Sequence, residues 1–132
     1  MKTLAFLIAG AAMLAGPATA APRDTPEVQL EKMLAGRVAG KPINCISLMP
    51  SNNSTIIDGK AIVYRSGGTL YVNEPRSHPE ALRSDDVLVT RTFGSQLCST
   101  DVVHMVDRTA GFFRSPVFLG KFVPYTKPRK AD

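Results

Sequence analysis

The stretch KAIVYRSGGTLYVNEPR, residues 60–76, decides the fold class. It holds two runs rich in β-branched and aromatic residues, separated by Ser-Gly-Gly. Because glycines permit the positive φ angles of a tight turn, this pattern predicts an antiparallel hairpin. Ile62 and Tyr64 are expected to share one face of the hairpin, as are Leu70 and Val72. A phosphate-binding loop is the alternative for Ser-Gly-Gly, but neither a GK[ST] motif nor a helical pattern follows it.

One short helix is predicted ahead of this hairpin. Thr25 suits the N-cap, and Pro26 suits the first helical position. Gly40 and Pro42 are expected to end the helix. Since a helix of this length is marginal alone in water, its apolar side should pack on the rest of the domain. The apolar residues at helical spacing are Leu30, Met33, Leu34 and Val38.

Short β-prone runs separated by turn residues fill the rest of the chain, from INCISL near residue 45 to GFFRSPVFLGKFVPYTK at the end. This texture predicts an α+β to mainly β fold. In it, a short N-terminal helix packs on an antiparallel sheet or small barrel of about six strands, with one disulfide. A small domain without tryptophan is expected to bury its phenylalanine rings, although an aromatic surface for sugars or bases is the alternative. The rings in question are Phe112, Phe113, Phe118 and Phe122.

The N-terminal stretch MKTLAFLIAGAAMLAGPATAA has the three parts of a secretory signal peptide. Lys2 precedes an apolar run, and small residues near Ala20 and Ala21 form the cleavage site. The run is too short to span a bilayer as a stable helix, so a membrane anchor is the weaker alternative. We therefore predict a signal peptide at 1–21, a single exported domain at 22–126 and a basic tail at 127–132. The mature protein is expected in the periplasm or medium, without a membrane span.

Positive charge is concentrated at the C-terminus. The chain has a formal net charge of +5, yet basic and acidic residues nearly cancel between residues 23 and 120. Lys127, Arg129 and Lys130 are therefore the candidate binding residues of the tail, for example toward anionic lipid. A solvated terminus without a partner is the alternative. No nucleic-acid partner is expected, because the charge forms a tail and not a basic face.

Two cysteines remain after signal removal, Cys45 and Cys98. In an oxidising compartment an even number of thiols favours pairing, so a Cys45–Cys98 disulfide is predicted. The chain-entropy model gives such a bridge, closing a loop of about fifty residues, roughly 4 kcal/mol of stabilisation. A metal site formed by these cysteines with His78 and His104 would match no recognised zinc spacing. No metal and no cofactor are predicted.

The stretch SQLCSTDVVHMVDR, residues 95–108, supports two interpretations. In the chemical one, His104 acts as a base beside Asp101 or Asp107, with Cys98 as a possible nucleophile. A helix would place the acid and the histidine on one side, whereas a strand would direct Asp101 and His104 to opposite faces. The valines in this stretch favour a strand, in which no dyad can form. Both conformations remain open at the level of sequence.

Four segments carry a resemblance that covers most of the chain from Leu34 onward. AGRVAGKPINCI, IIDGKAIVYRSGGTLYVNEPR, LVTRTFGSQLCSTDVV and FLGKFVPYTK resemble small exported proteins predicted from alphaproteobacterial genomes. The two cysteines lie in the matching NCI and QLC segments. The resemblance implies an exported, disulfide-linked domain and supplies no catalytic residues.

Three functions follow as hypotheses. The leading prediction is a soluble, non-enzymatic periplasmic protein that binds an envelope component or another periplasmic protein. The alternative is a small periplasmic hydrolase that uses His104 with Asp101 or Asp107. A third hypothesis is an inhibitor or adaptor that presents the VYRSGGTLY hairpin, residues 63–71, to another protein, since exposed hairpins are often recognised by edge-strand pairing.

Overall fold

The computed structural model describes residues 10–48 and 53–129, which form a mainly β fold with one α-helix and antiparallel sheets. This confirms the predicted fold class. The ten strands exceed the expected number of about six, because several of them have only two or three residues. In chain order the elements are α1 (Pro26–Leu34), β1 (Val38–Ala39), β2 (Cys45–Ser47), β3 (Asn53–Ile57), β4 (Ala61–Ser66), β5 (Thr69–Asn73), β6 (Val87–Thr90), β7 (Gln96–Cys98), β8 (Val102–Val106), β9 (Phe113–Phe118) and β10 (Phe122–Thr126).

The strands form three sheets. The largest has the order β1-β10-β5-β4-β3, a second has the order β6-β8-β9, and β2 pairs with β7. The predicted hairpin is confirmed as β4 and β5, with Ser66 opposite Thr69. Gly67 takes a φ of +60° in the loop between them, which only glycine adopts without strain.

Both faces of the five-stranded sheet are buried. Val63 and Val72 lie opposite each other and pack toward Leu30 of α1. Their neighbours Ile62 and Tyr64 point to the other face, where they join residues of the two smaller sheets in the main core. The pleat of alternating side chains therefore explains why the whole AIVY segment is apolar. The main core contains Ile46, Ile62, Tyr64, Leu82, Leu97, Val103, Met105, Val117, Leu119 and Phe122.

Helix α1 begins as predicted but ends early. The Thr25 hydroxyl accepts a hydrogen bond from the Val28 amide at 3.3 Å, which satisfies one free amide of the first turn. The helix starts well inside the full chain, because more than twenty residues precede it. The prediction that its apolar stripe continues to Val38 is wrong. Gly36 turns the chain with a φ of +74°, and Val38 then pairs with Thr126 in β1.

The predicted aromatic core is correct for one ring. Phe122 is completely buried and makes an edge-to-face contact with Tyr64, whose ring centroid lies 5.8 Å away. Phe118 is half-buried, while Phe112 and Phe113 are 53% and 62% exposed. The prediction of burial fails for Phe112 and Phe113, because both lie where the chain enters β9 and neither belongs to a buried cluster.

A polar clamp joins the end of β5 to the turn before β10. The amide nitrogen of the buried Asn73 side chain donates to the Gly120 carbonyl at 2.7 Å, and the Gly120 amide donates to Asn73 Oδ1 at 2.9 Å. A Cβ at position 120 would lie 2.3 Å from the Glu74 carbonyl oxygen. Glycine is therefore required there by close packing of two backbones.

The Cys45–Cys98 disulfide is present and joins β2 to β7. The two cysteines lie directly opposite each other in this antiparallel pair, with Cα atoms 4.0 Å apart. Next to them, Ile46 and Leu97 also pair and are buried in the main core. The bridge thus fixes this small sheet against the rest of the domain. No helix within residues 10–48 and 53–129 is both long and apolar enough to cross a membrane.

Candidate functional site

The stretch around His104 is a strand. Residues Val102–Val106 form β8, in the middle of the three-stranded sheet, and His104 lies opposite Val89 of β6 and Pro116 of β9. Val103 and Met105 are buried in the main core. By the alternation of side chains along a strand, His104 therefore points away from the core. The strand interpretation of the sequence is confirmed.

Both candidate acids hold local backbone structure. The carboxylate of Asp101 accepts a hydrogen bond from the Cys98 amide at 2.7 Å. Asp107 Oδ1 accepts from the amides of Thr109 and Ala110, at 2.9 and 2.6 Å, and so organises the turn after β8. The hydrogen bond from the Ala110 amide, with smaller contributions from Thr109 and Arg114, lowers the pKa of Asp107 despite some desolvation. The carboxylate is thus held in its ionised form.

His104 is not paired with either acid. Its ring meets the Phe113 ring edge-on, with centroids 5.7 Å apart. Within the described part of the chain, no hydrogen bond or ion pair joins His104 to a carboxylate. The arrangement required for a histidine–aspartate dyad is therefore not built around His104. The side chain instead lies in an apolar environment.

That environment is the outward face of the three-stranded sheet. We use "outward face" for the side chains on the side of β6, β8 and β9 that points away from the main core, where α1 and the other two sheets do not pack. Within the strands themselves the face contains one titratable side chain, His104, and no carboxylate, while Arg91 lies beside it just after β6. Its members are Val87, Val89, Val102, His104, Val106, Phe113, Pro116 and Phe118.

The outward face has a shallow depression near its middle. Val89, Arg91, His104 and Phe113 line this depression, which has a volume of about 350 Å³. Phe113 is 62% exposed and Val87 is 41% exposed, so the apolar surface is open to solvent. Contiguous apolar surface of this kind on a small protein usually marks an interaction site.

An ion-pair network supports the end of this sheet next to the turn of residues 107–112. The buried carboxylate of Asp86 lies at Arg114 Nε, which is 3.2 Å from Oδ1 and 3.0 Å from Oδ2. Arg114 Nη2 also contacts Asp107 Oδ2. The Arg114 guanidinium stacks near the Phe112 ring, 5.3 Å from its centroid. The network thus fixes Phe112 and the turn relative to β6.

Arg108 lies in the same turn but takes no part in the network. It is exposed, and within the described residues it makes no ion pair. Arg108 instead lines a cleft of about 390 Å³ between β3 and β6, together with Ser54, Thr55 and the buried Asp86. The turn and the first residue of β9 therefore combine two exposed phenylalanines with one uncompensated positive charge.

The remaining predicted residues lie elsewhere. Lys127 and Arg129 are exposed after β10, while Lys130 lies outside the described residues. His78 contacts Glu80 at 3.3 Å. Over the part of the chain that the structure describes, no group of three or more histidine, cysteine or acidic side chains could hold a metal ion.

The hairpin of β4 and β5 is not available for edge pairing. β4 lies between β3 and β5, and β5 lies between β4 and β10. At its tip, Arg37 Nη1 donates to the Gly68 carbonyl at 2.7 Å and to the Tyr125 carbonyl at 3.2 Å. The hypothesis of an adaptor hairpin that pairs through its edges is therefore wrong.

No known protein family, curated protein or solved structure matches this chain. Sequence reasoning missed the outward face, although a signal was present. VVHMV places apolar residues on both faces of one strand, and the sequence predicts a single helix that could cover only one sheet face.

Proposed function

We propose that this chain is an exported, non-enzymatic module that binds the lipid surface of the cell envelope through its outward face. The observation that carries the proposal is the exposure of Phe112 and Phe113 beside the unpaired Arg108. Aromatic rings partition into the boundary between headgroups and acyl chains, while a neighbouring cation contacts anionic headgroups. Both kinds of contact are available from one turn.

The composition of the outward face agrees with this occupant. A membrane offers an extended apolar layer under a charged surface, and the face offers apolar side chains with no carboxylate among them. His104 is the one titratable group within the strands of the face, and its ring centroid lies 5.7 Å from that of Phe113; the charged Arg91 lies beside it after β6. Burying the face in lipid would therefore leave few polar groups without partners.

Export is the second part of the proposal. Three features support it: the signal-peptide pattern of residues 1–21, the Cys45–Cys98 bridge, and the resemblance to exported alphaproteobacterial proteins. Non-reducing mass spectrometry of the protein recovered from cells tests this part. We expect a chain that lacks about 21 residues and has no alkylatable thiol; a full-length chain with two free thiols would contradict export.

The C-terminal tail supplies a further electrostatic contribution in this proposal. Lys127, Arg129 and Lys130 add three positive charges, each worth about 1 kcal/mol near an anionic surface. Removal of residues 127–132 should therefore weaken binding to anionic vesicles and leave binding to neutral vesicles nearly unchanged.

Sedimentation of the oxidised mature chain, residues 22–132, with lipid vesicles tests the proposal directly. Vesicles of phosphatidylcholine with phosphatidylglycerol should bind the protein, and the double variant Phe112→Ser with Phe113→Ser should lose most of the binding. Phe93→Ser is the matched control. Phe93 is fully exposed, but it follows β6 at the opposite end of the sheet from the turn.

The cation is tested separately. Arg108→Ala should weaken binding to the anionic vesicles and have little effect on vesicles of phosphatidylcholine alone, because a single surface charge interacts mainly with charged headgroups. Equal loss of binding in Phe93→Ser and in the double variant would contradict a specific face. Absence of binding to both vesicle types would refute the proposed function.

A further inference from the structure

The edge strand β6 is unprotected against pairing with another chain. Within the described residues β6 pairs with β8 alone, so one side of its backbone has no strand neighbour. Its four residues, Val-Leu-Val-Thr, contain neither proline nor charge. Proteins usually block such an edge with proline, lysine, a bulge or a covering segment, because exposed amides and carbonyls otherwise recruit a further strand.

The other outer strands of the two larger sheets, β1, β3 and β9, differ from β6. β1 has two residues, between Gly36 and Pro42. β9 contains Pro116, and its outer side is bridged by Ser77 opposite Phe118. β3 begins with the polar residues Asn53, Ser54 and Thr55. Among the outer strands of the two larger sheets, β6 is therefore the one that is not shortened to two residues, contains no proline, has no bridging segment and does not begin with a run of polar residues.

Space is available beside the free edge. The cleft of about 390 Å³ between β6 and β3 is lined by Val87 and Leu88 on one side and by Ser54 and Thr55 on the other. Its hydroxyl groups can bond to the backbone of an entering strand. A strand that pairs with β6 would therefore meet a polar surface and not a closed wall.

The charges that flank β6 indicate which strand fits. Asp85 lies two residues before the strand and Arg91 immediately follows it; both are exposed, and neither makes an ion pair within the described residues. An antiparallel pair of two identical strands keeps equivalent faces together only in a register in which one residue lies opposite its own copy, and Leu88 and Val89 are the two such residues in the middle of β6. In the register centred on Leu88, Asp85 of each copy comes opposite Arg91 of the other, and Val87 opposite Val89.

We propose that two copies of this chain associate by antiparallel pairing of β6 with β6 in the register centred on Leu88. The contact is isologous, because one two-fold axis perpendicular to the sheet generates both halves. It produces a continuous six-stranded sheet with both outward faces on the same side. The pairing does not require lipid binding, but it presents two aromatic turns to one membrane and so raises the effective affinity.

Sedimentation velocity of the oxidised mature chain over about 1 to 200 µM, without lipid, tests the pairing. A monomer–dimer equilibrium in the micromolar range is expected from so short an edge. Asp85→Arg and Arg91→Asp, each alone, place like charges opposite each other twice in the dimer and should weaken it about tenfold. The two changes together restore opposite charges and should recover the original dissociation constant within about twofold.

Arg83→Asp is the matched control. It changes the net charge as much as Arg91→Asp does, but Arg83 lies outside the β6 register. It should leave the dissociation constant unchanged. A chain that stays monomeric at every concentration overturns the inference. It is also overturned if the single changes leave the dissociation constant of the dimer unaltered, or if the double change does not restore it. If β6 instead pairs with an extended peptide of another protein, the isolated chain should be monomeric at every concentration.

The two proposals fail in different experiments. The Phe112→Ser and Phe113→Ser double variant alters the face without altering β6, so it should dimerise normally while losing vesicle binding. If it dimerises and the unaltered chain also fails to bind vesicles, the proposed function is refuted and the pairing stands. If the unaltered chain binds vesicles as a monomer, the pairing is refuted and the proposed function stands.

Discussion

The two larger sheets of this protein use apolar residues in different ways. The five-stranded sheet has α1 on one face and the main core on the other, so Val63 and Tyr64 are both buried although they point in opposite directions. The three-stranded sheet shares the main core on one face only. Its outward face, including Phe113, is open to solvent.

The difference shows that apolar alternation does not by itself determine burial. A strand with apolar residues on both faces is buried on both only when the chain supplies two covering layers. The one described α-helix covers the five-stranded sheet, and no other α-helix of the described residues remains for the three-stranded sheet. Surface left uncovered in this way is available for a partner, which is why we propose that the outward face binds one.

The largest expected effect is the difference in stability between removing a buried phenylalanine ring and removing an exposed one. Phe122→Ala should lower the free energy of unfolding by about 4 kcal/mol, because it removes a fully buried ring and leaves a cavity. Phe113→Ala should change it by less than about 1 kcal/mol, since that ring is largely in water already. Urea unfolding of both variants measures the difference. Similar losses would mean that the outward face is covered in solution.

A smaller effect is expected from two arginines at the same end of the three-stranded sheet. Arg114→Met should cost about 2 kcal/mol, because it leaves the buried Asp86 carboxylate without its cation. Arg108→Met, the control, should cost almost nothing. Adding Asp86→Asn to Arg114→Met should recover part of the loss, since no buried charge then remains. Thermal unfolding of the three variants checks this order.

The hydroxyl of Tyr64 is a polar group buried in the main core. It has no hydrogen-bond partner among the described residues, and its burial raises the pKa of the phenol. Tyr64→Phe should therefore stabilise the protein by about 1 kcal/mol, by removing a desolvated polar atom. Tyr71, its cross-strand neighbour, is half-buried, so Tyr71→Phe should have a smaller effect. A destabilised Tyr64→Phe variant in urea unfolding would reveal a partner for the hydroxyl.

The smallest effect concerns pH and the turn beside the outward face. Because the pKa of Asp107 is lowered in the folded state, its contribution to stability is present above the unfolded pKa of about 4. This contribution is lost as the pH falls through the lower folded value. The stability difference between the unaltered chain and Asp107→Asn should thus shrink between about pH 5 and pH 2. A difference independent of pH in urea unfolding would contradict this role.

Local sequence signals predicted much of the fold. The hairpin around Gly67, the N-cap at Thr25 and the Cys45–Cys98 bridge each depend on residues whose chemistry permits few alternatives. The end of α1 was harder to place, because Val38 fits both a helical stripe and a strand. Its pairing with Thr126 far along the chain decided between them.

The candidate site depended on information that local patterns do not contain. Whether Phe113 is buried depends on how many layers cover its sheet, and no short segment of sequence encodes the number of covering layers. The acidic residues near His104 were misleading for a related reason. Asp101 and Asp107 serve the backbone of adjacent turns, a frequent use of aspartate that resembles a catalytic pattern in sequence.

The polar clamp between Asn73 and Gly120 limits which substitutions this chain can accept during evolution. Each residue satisfies the other's polar groups, and no side chain fits at position 120 beside the Glu74 carbonyl. Substitution of either residue alone should destabilise the fold. The two positions, 47 residues apart, should therefore be conserved together while surface residues diverge. Distant relatives whose overall sequence similarity is too low to detect should therefore still have an asparagine and a glycine at these two places in the fold.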